Sequence, residues 1–118
     1  MSATFGKYIR KQREARRARD PKFSVRQVAA RIGVQPSYLS KVERGQEAPP
    51  SEEKIRALAQ ALGEDPDVLL ALAGKVSGDL QEAIRRRPLL FAQVIRELKD
   101  MPDHAVLRLV REVRDGKW

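Results

Sequence analysis

Apolar residues recur along this chain at helical spacing and almost nowhere in alternation, so the pattern predicts helix after helix and no strand. The clearest stretch is residues 24–45, SVRQVAARIGVQPSYLSKVERG. Val25, Val28, Ala29 and Ile32 fall at i, i+3, i+4 and i+7, one face of a short helix. Ser24 stands where that helix would start, with Gln27 three positions on, the spacing of a capping box. Gly33 follows where the helix must stop and the backbone must take a positive φ. Pro36 belongs in the first turn of a second helix, where its missing N–H costs nothing. Leu39 and Val42 give that helix a buried side and leave Ser37, Ser40, Lys41 and Arg44 on its outer side. Ala29 is small where the two helices would cross. Two short helices joined by so tight a turn make a helix-turn-helix.

Other helices flank this pair. A first one is expected over roughly residues 4–19, with Phe5, Tyr8 and Ile9 as its apolar contacts. Pro21 ends it by disfavouring α geometry in Asp20. Ser51 is a good N-cap for a fourth helix, with Glu52 and Glu53 at its positive end, Ile55, Leu58, Ala59 and Leu62 as its core face, and Gly63 as its stop. Asp65 and Pro66 open a fifth, with Val68, Leu69 and Leu72 apolar and Gly74 at its end. Residues 1–74 would then form a five-helix domain, and Lys75 to Gly78 a hinge. Residues 75–118 carry a weaker sixth helix around 79–87, with Leu80, Ala83 and Ile84 apolar. Two stronger ones follow, connected through Met101, Pro102 and Asp103 as antiparallel neighbours. The fold class is all-α.

Charge sharpens this picture. The net charge is +8 over 118 residues, but residues 1–45 hold 12 basic against 3 acidic side chains, +9, and the remainder nets −1. The positive charge therefore travels with the helix-turn-helix, which points to a polyanion, nucleic acid foremost. The chain has no cysteine, which excludes disulfides, thiolate zinc sites and a cysteine nucleophile. His104 is its single histidine, no Gly-rich phosphate loop occurs, and no apolar run approaches a membrane span. The expectation is a soluble, cytoplasmic, nucleoid-associated protein that is not an enzyme, uses no cofactor or metal, and binds no membrane and no small-molecule ligand.

The stretch Phe5 to Leu62 resembles the DNA-binding domain of the lambda repressor, Cro and the wider XRE family. The matching residues are Ala29, Gly33, Tyr38-Leu39-Ser40, Val42 and Glu43-Arg44-Gly45, with Pro50-Ser51 and Ala61-Leu62-Gly63 around the fourth helix. The chain also departs from the family. Arg16 to Phe23 is a longer and more basic connection, Val25 stands where a glutamine is common, and Gln35 and Pro36 replace polar residues at the start of the recognition helix. The resemblance implies a sequence-specific regulator, a repressor, that binds a palindromic double-stranded operator as a homodimer with helix 3 in the major groove. Gln35, Ser37 and Lys41 are then candidates for base contact, Lys41 suiting guanine O6 and N7, while Pro36 offers apolar contact to a thymine methyl. Lys22, Arg26, Ser40, Arg44 and Gln46 are candidates for phosphates, which position without reading sequence. Tyr38 either stacks over the backbone or packs in the core. The resemblance further implies a structural pair between Arg13 and Glu43.

Two readings remain for residues 75–118. Leu90, Phe91, Val94, Ile95 and Leu98 on one helix, with Val106, Leu109, Val110 and Val113 on the next, form a dimer interface in the first, with Trp118 as a candidate anchor. The same helices fold back over helix 5 in its variant. In the second reading the chain is chiefly a protein-interaction module, such as the antitoxin of a toxin–antitoxin pair, whose C-terminal helices hold a toxin or a protease.

Overall fold

The computed structural model describes residues 2–116, with side chains from Thr4 onward, and every regular element among them is helical. In chain order these are α1 (Ser2–Arg17), a 3-10 turn (Pro21–Phe23), α2 (Val25–Ile32), α3 (Pro36–Glu43), α4 (Glu52–Leu62), α5 (Pro66–Leu72), α6 (Gly78–Arg86), α7 (Pro88–Leu98) and α8 (Asp103–Asp115). The chain divides into two units, Met1–Ser77 and Gly78–Trp118. The division falls inside the stretch 75–78, where Lys75 Nζ donates to the Pro50 carbonyl at 2.8 Å and Ser77 is buried.

Local chemistry accounts for most boundaries of the first unit. Asp20 is extended, and its carboxylate accepts the Lys22 N–H at 2.9 Å, closing the 3-10 turn that follows α1. The first helix therefore stops at Arg17 and not at 19. Ser24 Oγ accepts the Gln27 N–H at 3.2 Å, but only half of a capping box forms, because the Ser24 N–H is already taken by the Pro21 carbonyl. Gly33 adopts φ 75°, and Lys54 Nζ reaches from α4 to the exposed carbonyls of Ile32 and Gly33 at 3.1 and 3.4 Å. Ser51 and Asp65 cap α4 and α5.

The core of this unit draws on all five helices: Phe5 and Ile9, Val28 and Ile32, Leu39 and Val42, Ile55, Leu58 and Leu62, and Leu69 with Leu70. Helix α1 packs on α3 and α5, α2 on α3 and α4, and α5 on α4. One apolar assignment changes. Val68 faces outward and Leu70 is buried, because α5 is only seven residues long and offers its core the adjacent pair Leu69–Leu70.

Gly6 is a core position that no local pattern marks. A Cβ there would lie 2.3 Å from the Val42 carbonyl oxygen and 2.7 Å from that of Glu43. Those atoms are backbone and cannot swing aside, so α1 crosses the end of α3 only because residue 6 has no side chain. Gly6→Ala gains about 1 kcal/mol of helix propensity, yet the overlap costs more, a net loss of about 1–3 kcal/mol as for an overpacked core. Urea unfolding should show a lower midpoint at unchanged slope. A midpoint equal to that of the parent protein would refute the close approach.

The second unit is built differently. Arg87 separates α6 from α7, and α6 packs against α7, while α8 packs along neither, so α7 and α8 are not the packed antiparallel neighbours expected. Pro102, extended at φ −68° and ψ 155°, starts α8 without a side-chain cap. No residue of α6, α7 or α8 is buried. Leu90, Val94, Ile95, Leu109, Val110 and Val113 are exposed, and Phe91, Leu98 and Val106 are half-buried. Trp118 lies outside the described residues.

Candidate nucleic-acid interface

Helix α3 presents its outer side to solvent for the reason its inner side is buried. Leu39 and Val42 enter the core, so Ser37, Lys41 and Arg44, spaced i, i+4 and i+7, are left outside. Gln35 and Pro36 are exposed at its N-terminal end. The Gln35 side chain does not cap α3, and Pro36 fills the first turn in its place. A side-chain amide, a prolyl ring and a hydroxyl thus stand exposed at the start of α3, and an ammonium group in its last turn. Tyr38 is half-buried against the core, where burial first, and the charge of Glu47 second, push its phenol above its ordinary pKa.

The C-terminal end of α3 is organised by its own hydrogen bonds. Arg44 donates through Nη1 to Ser40 Oγ at 2.6 Å and through Nε to Gln46 Oε1 at 3.2 Å. Ser40 and Gln46 therefore hold the Arg44 guanidinium in place. Beneath it lies an ion pair. Arg13 Nε and Nη2 reach the two Glu43 oxygens at 2.7 and 2.9 Å, and Arg13 Nη1 donates to the Phe23 carbonyl at 3.2 Å. Both side chains are about 95% removed from solvent, at 4% and 5% exposure. The Glu43 hydrogen bonds raise the Arg13 pKa against the opposing pull of burial. This bidentate geometry joins α1 to the end of α3 at the crossing that Gly6 permits.

A cleft of about 240 Å³ opens beside the pair, lined by Arg10, Arg13, Glu14, Arg17, Val25, Ser40, Glu43 and Arg44. It brings Arg10 and Arg17 of α1, the start of α2 and the end of α3 together. Arg10 and Arg17 appear in the sequence as two more charges on a basic helix, and only the tertiary crossing sets them beside Arg44. Lys22 and Arg26 are exposed near the start of α2, and neither lines this cleft. Arg31 stacks over Phe23, 4.7 Å from the ring centroid, and donates to the Lys22 carbonyl, which braces the 3-10 turn. On the far side of α1, Tyr8 and Arg16 both bond Glu64, at 2.6 and 2.8 Å.

Among the described residues no group of three or more His, Asp or Glu side chains could hold a metal ion, and no helix is long and apolar enough to cross a membrane. The helix-turn-helix domain family matches residues 4–72, more than half of the chain. This protein belongs to that family. Two relatives, both named uncharacterised HTH-type transcriptional regulators, come from two strains of Mycobacterium tuberculosis. Each is 42% identical over 69 residues, a match covering 58% of this chain and 45% of the relative. The chain thus spans less than half the length of these relatives. No solved structure matches it. Within the helix-turn-helix domain the matched residues include all five helices of the first unit except the start of α1.

Proposed function

We propose that this chain is a sequence-specific double-stranded DNA-binding transcriptional regulator of the XRE type, a repressor that binds a palindromic operator as a homodimer. The observation that carries the reading is the outer side of α3: Gln35, Pro36, Ser37 and Lys41 are exposed on a helix locked from behind. The flanking arginines and the +9 charge of residues 1–45 support it. The names of the two relatives support the regulatory role. Selection of bound duplexes from a random pool tests it: a palindromic consensus is expected, and recovery of unenriched DNA overturns sequence-specific regulation. Binding should also weaken steeply with salt, by roughly 0.9 in log–log slope for each phosphate contacted.

Individual roles follow from position. Lys41→Ala should lose about 1–3 kcal/mol on the selected site and relax preference at one position of each half-site. Arg44→Ala should weaken all sequences alike, since a phosphate contact carries no sequence information. A Lys41→Ala protein that selects an unchanged consensus would remove Lys41 from base readout.

The exposed apolar residues of α7 and α8 favour a protein contact for the second unit. A second copy of the chain is the occupant that serves DNA reading, because one recognition helix contacts few bases. Capture of a toxin or a protease by the same helices is the competing reading.

A further inference from the structure

Glu14 is the one acidic residue of α1, in a helix with Lys7, Arg10, Lys11, Arg13, Arg16 and Arg17. It lies in the cleft between α1 and α3, with Oε1 3.0 Å from Arg10 Nε and 3.9 Å from Arg13 Nη2. The cleft wall holds four guanidinium groups and two carboxylates. Arg13 and Glu43 are committed to each other, which leaves Arg10, Arg17 and Arg44 as the other cations of the cleft, Arg10 bonded to Glu14 and Arg17 acting on its charge. Arg10, with Arg13 and Arg17 behind it, holds the Glu14 carboxyl below its usual pKa range, so it is ionised at neutral pH. A negative group has thus been placed among cations next to the exposed end of α3.

We propose that the cleft between α1 and α3 seats one DNA backbone phosphate on Arg10, Arg17 and Arg44, and that the Glu14 carboxylate occupies this seat until the phosphate displaces it. The proposal rests on the DNA-binding reading above. Glu14 can leave: its side chain is half exposed, and its bond to Arg10 is an i, i+4 surface pair of the weak, exchangeable kind. Arg44 need not move, since Ser40 and Gln46 already hold it. A phosphodiester carries the same single charge as the carboxylate and offers two free oxygens to planar guanidinium donors, which pair well with such groups. Glu14 would then act as an affinity limiter. It makes every phosphate contact at this seat compete with an internal anion, and it weakens all DNA sequences equally.

The test uses the full chain, a duplex of random sequence and a salt titration. Glu14→Gln should bind several-fold tighter on every sequence. Asp67→Asn, which removes the same charge from α5, should bind as the parent does. Arg17→Ala should bind several-fold more weakly, with a log–log salt slope shallower by about 0.9, the value for one lost phosphate contact. If Glu14→Gln gains no more than Asp67→Asn, or Arg17→Ala keeps the parent affinity and slope, the proposal is overturned. Inorganic phosphate added at constant ionic strength separates the two sources of this chemistry. Competition with duplex in the parent protein and none in Arg17→Ala is expected. Phosphate that binds the parent protein through Arg17 without displacing any duplex would assign the cleft to a free phosphate and overturn the backbone assignment. A parent protein that binds no duplex fails in the first titration, before any variant is compared, and takes the DNA-binding reading down with this one.

Discussion

Glu43→Ala is expected to destabilise the first unit by on the order of 3–5 kcal/mol, the cost of leaving a buried charge without its partner. The upper part of that range applies, because both side chains are nearly excluded from water and the pair is bidentate. Arg13→Ala should cost a similar amount: it strands Glu43 and also removes the donor to the Phe23 carbonyl. The double variant Arg13→Met with Glu43→Leu behaves differently. Apolar groups of similar volume do not carry the desolvation penalty of the charges, so most of the lost stability should return. Thermal melts of the three variants check this. If either single variant melts with the parent protein, the pair contributes nothing to stability. If the double variant is as unstable as the singles, the crossing depends on the charges themselves and not on filled volume.

Ending the chain after Ser77 should leave a folded monomer that binds DNA about 10²–10⁴-fold more weakly, the loss expected when two linked contacts become one. The first unit keeps every buried residue of the core, so its melting behaviour should change little. The second unit, residues 78–118, is near the length below which a chain seldom sustains a core alone, and none of its helices buries a residue. Pairing of α7 and α8 with those of a second copy would cover Leu90, Ile95, Val110 and Val113, and a dimer that reads a palindrome needs its two recognition helices one duplex turn apart, about 34 Å. Light scattering on the intact chain, alone and on its selected DNA, gives the decisive reading. A monomer in both states refutes the dimer, and affinity retained after truncation places DNA binding wholly in the first unit.

The helices of the first unit were legible where one residue does one local job. Ser24, Gly33, Ser51, Gly63 and Asp65 each act through bonds to neighbours within a few positions, Pro36 through the donor it lacks in the first turn, and such effects survive in sequence spacing. The 3-10 turn at Pro21–Phe23 escaped because its hydrogen bonds are as local as those of a helix but too few to give a period. Val68 and Leu70 exchanged places because seven residues make only two turns, too short for a stripe to fix which side is inner. In the candidate interface, the exposure of Gln35, Ser37 and Lys41 follows from Leu39 and Val42 alone. Gly6, Arg10, Glu14 and Arg17 could not be singled out in that way. Their significance lies in what α1 meets when it crosses α3, more than 25 residues away along the chain, and periodicity carries no information about a crossing.

The two bonds to Glu64 have a consequence for synthesis. Tyr8 and Arg16 meet that carboxylate across 56 and 48 positions, and Phe5 and Ile9 are buried among residues from helices made later. Helix α1 is therefore made before α2 to α5 and completes its contacts only after α4 has followed it. At translation speeds of about 5–20 residues per second, its apolar side waits uncovered for roughly 2–10 s while α2 to α4 are made. Through that interval its many lysines and arginines keep it hydrated and apart from other nascent chains, so the charge that suits this helix to a polyanion also guards it while it waits.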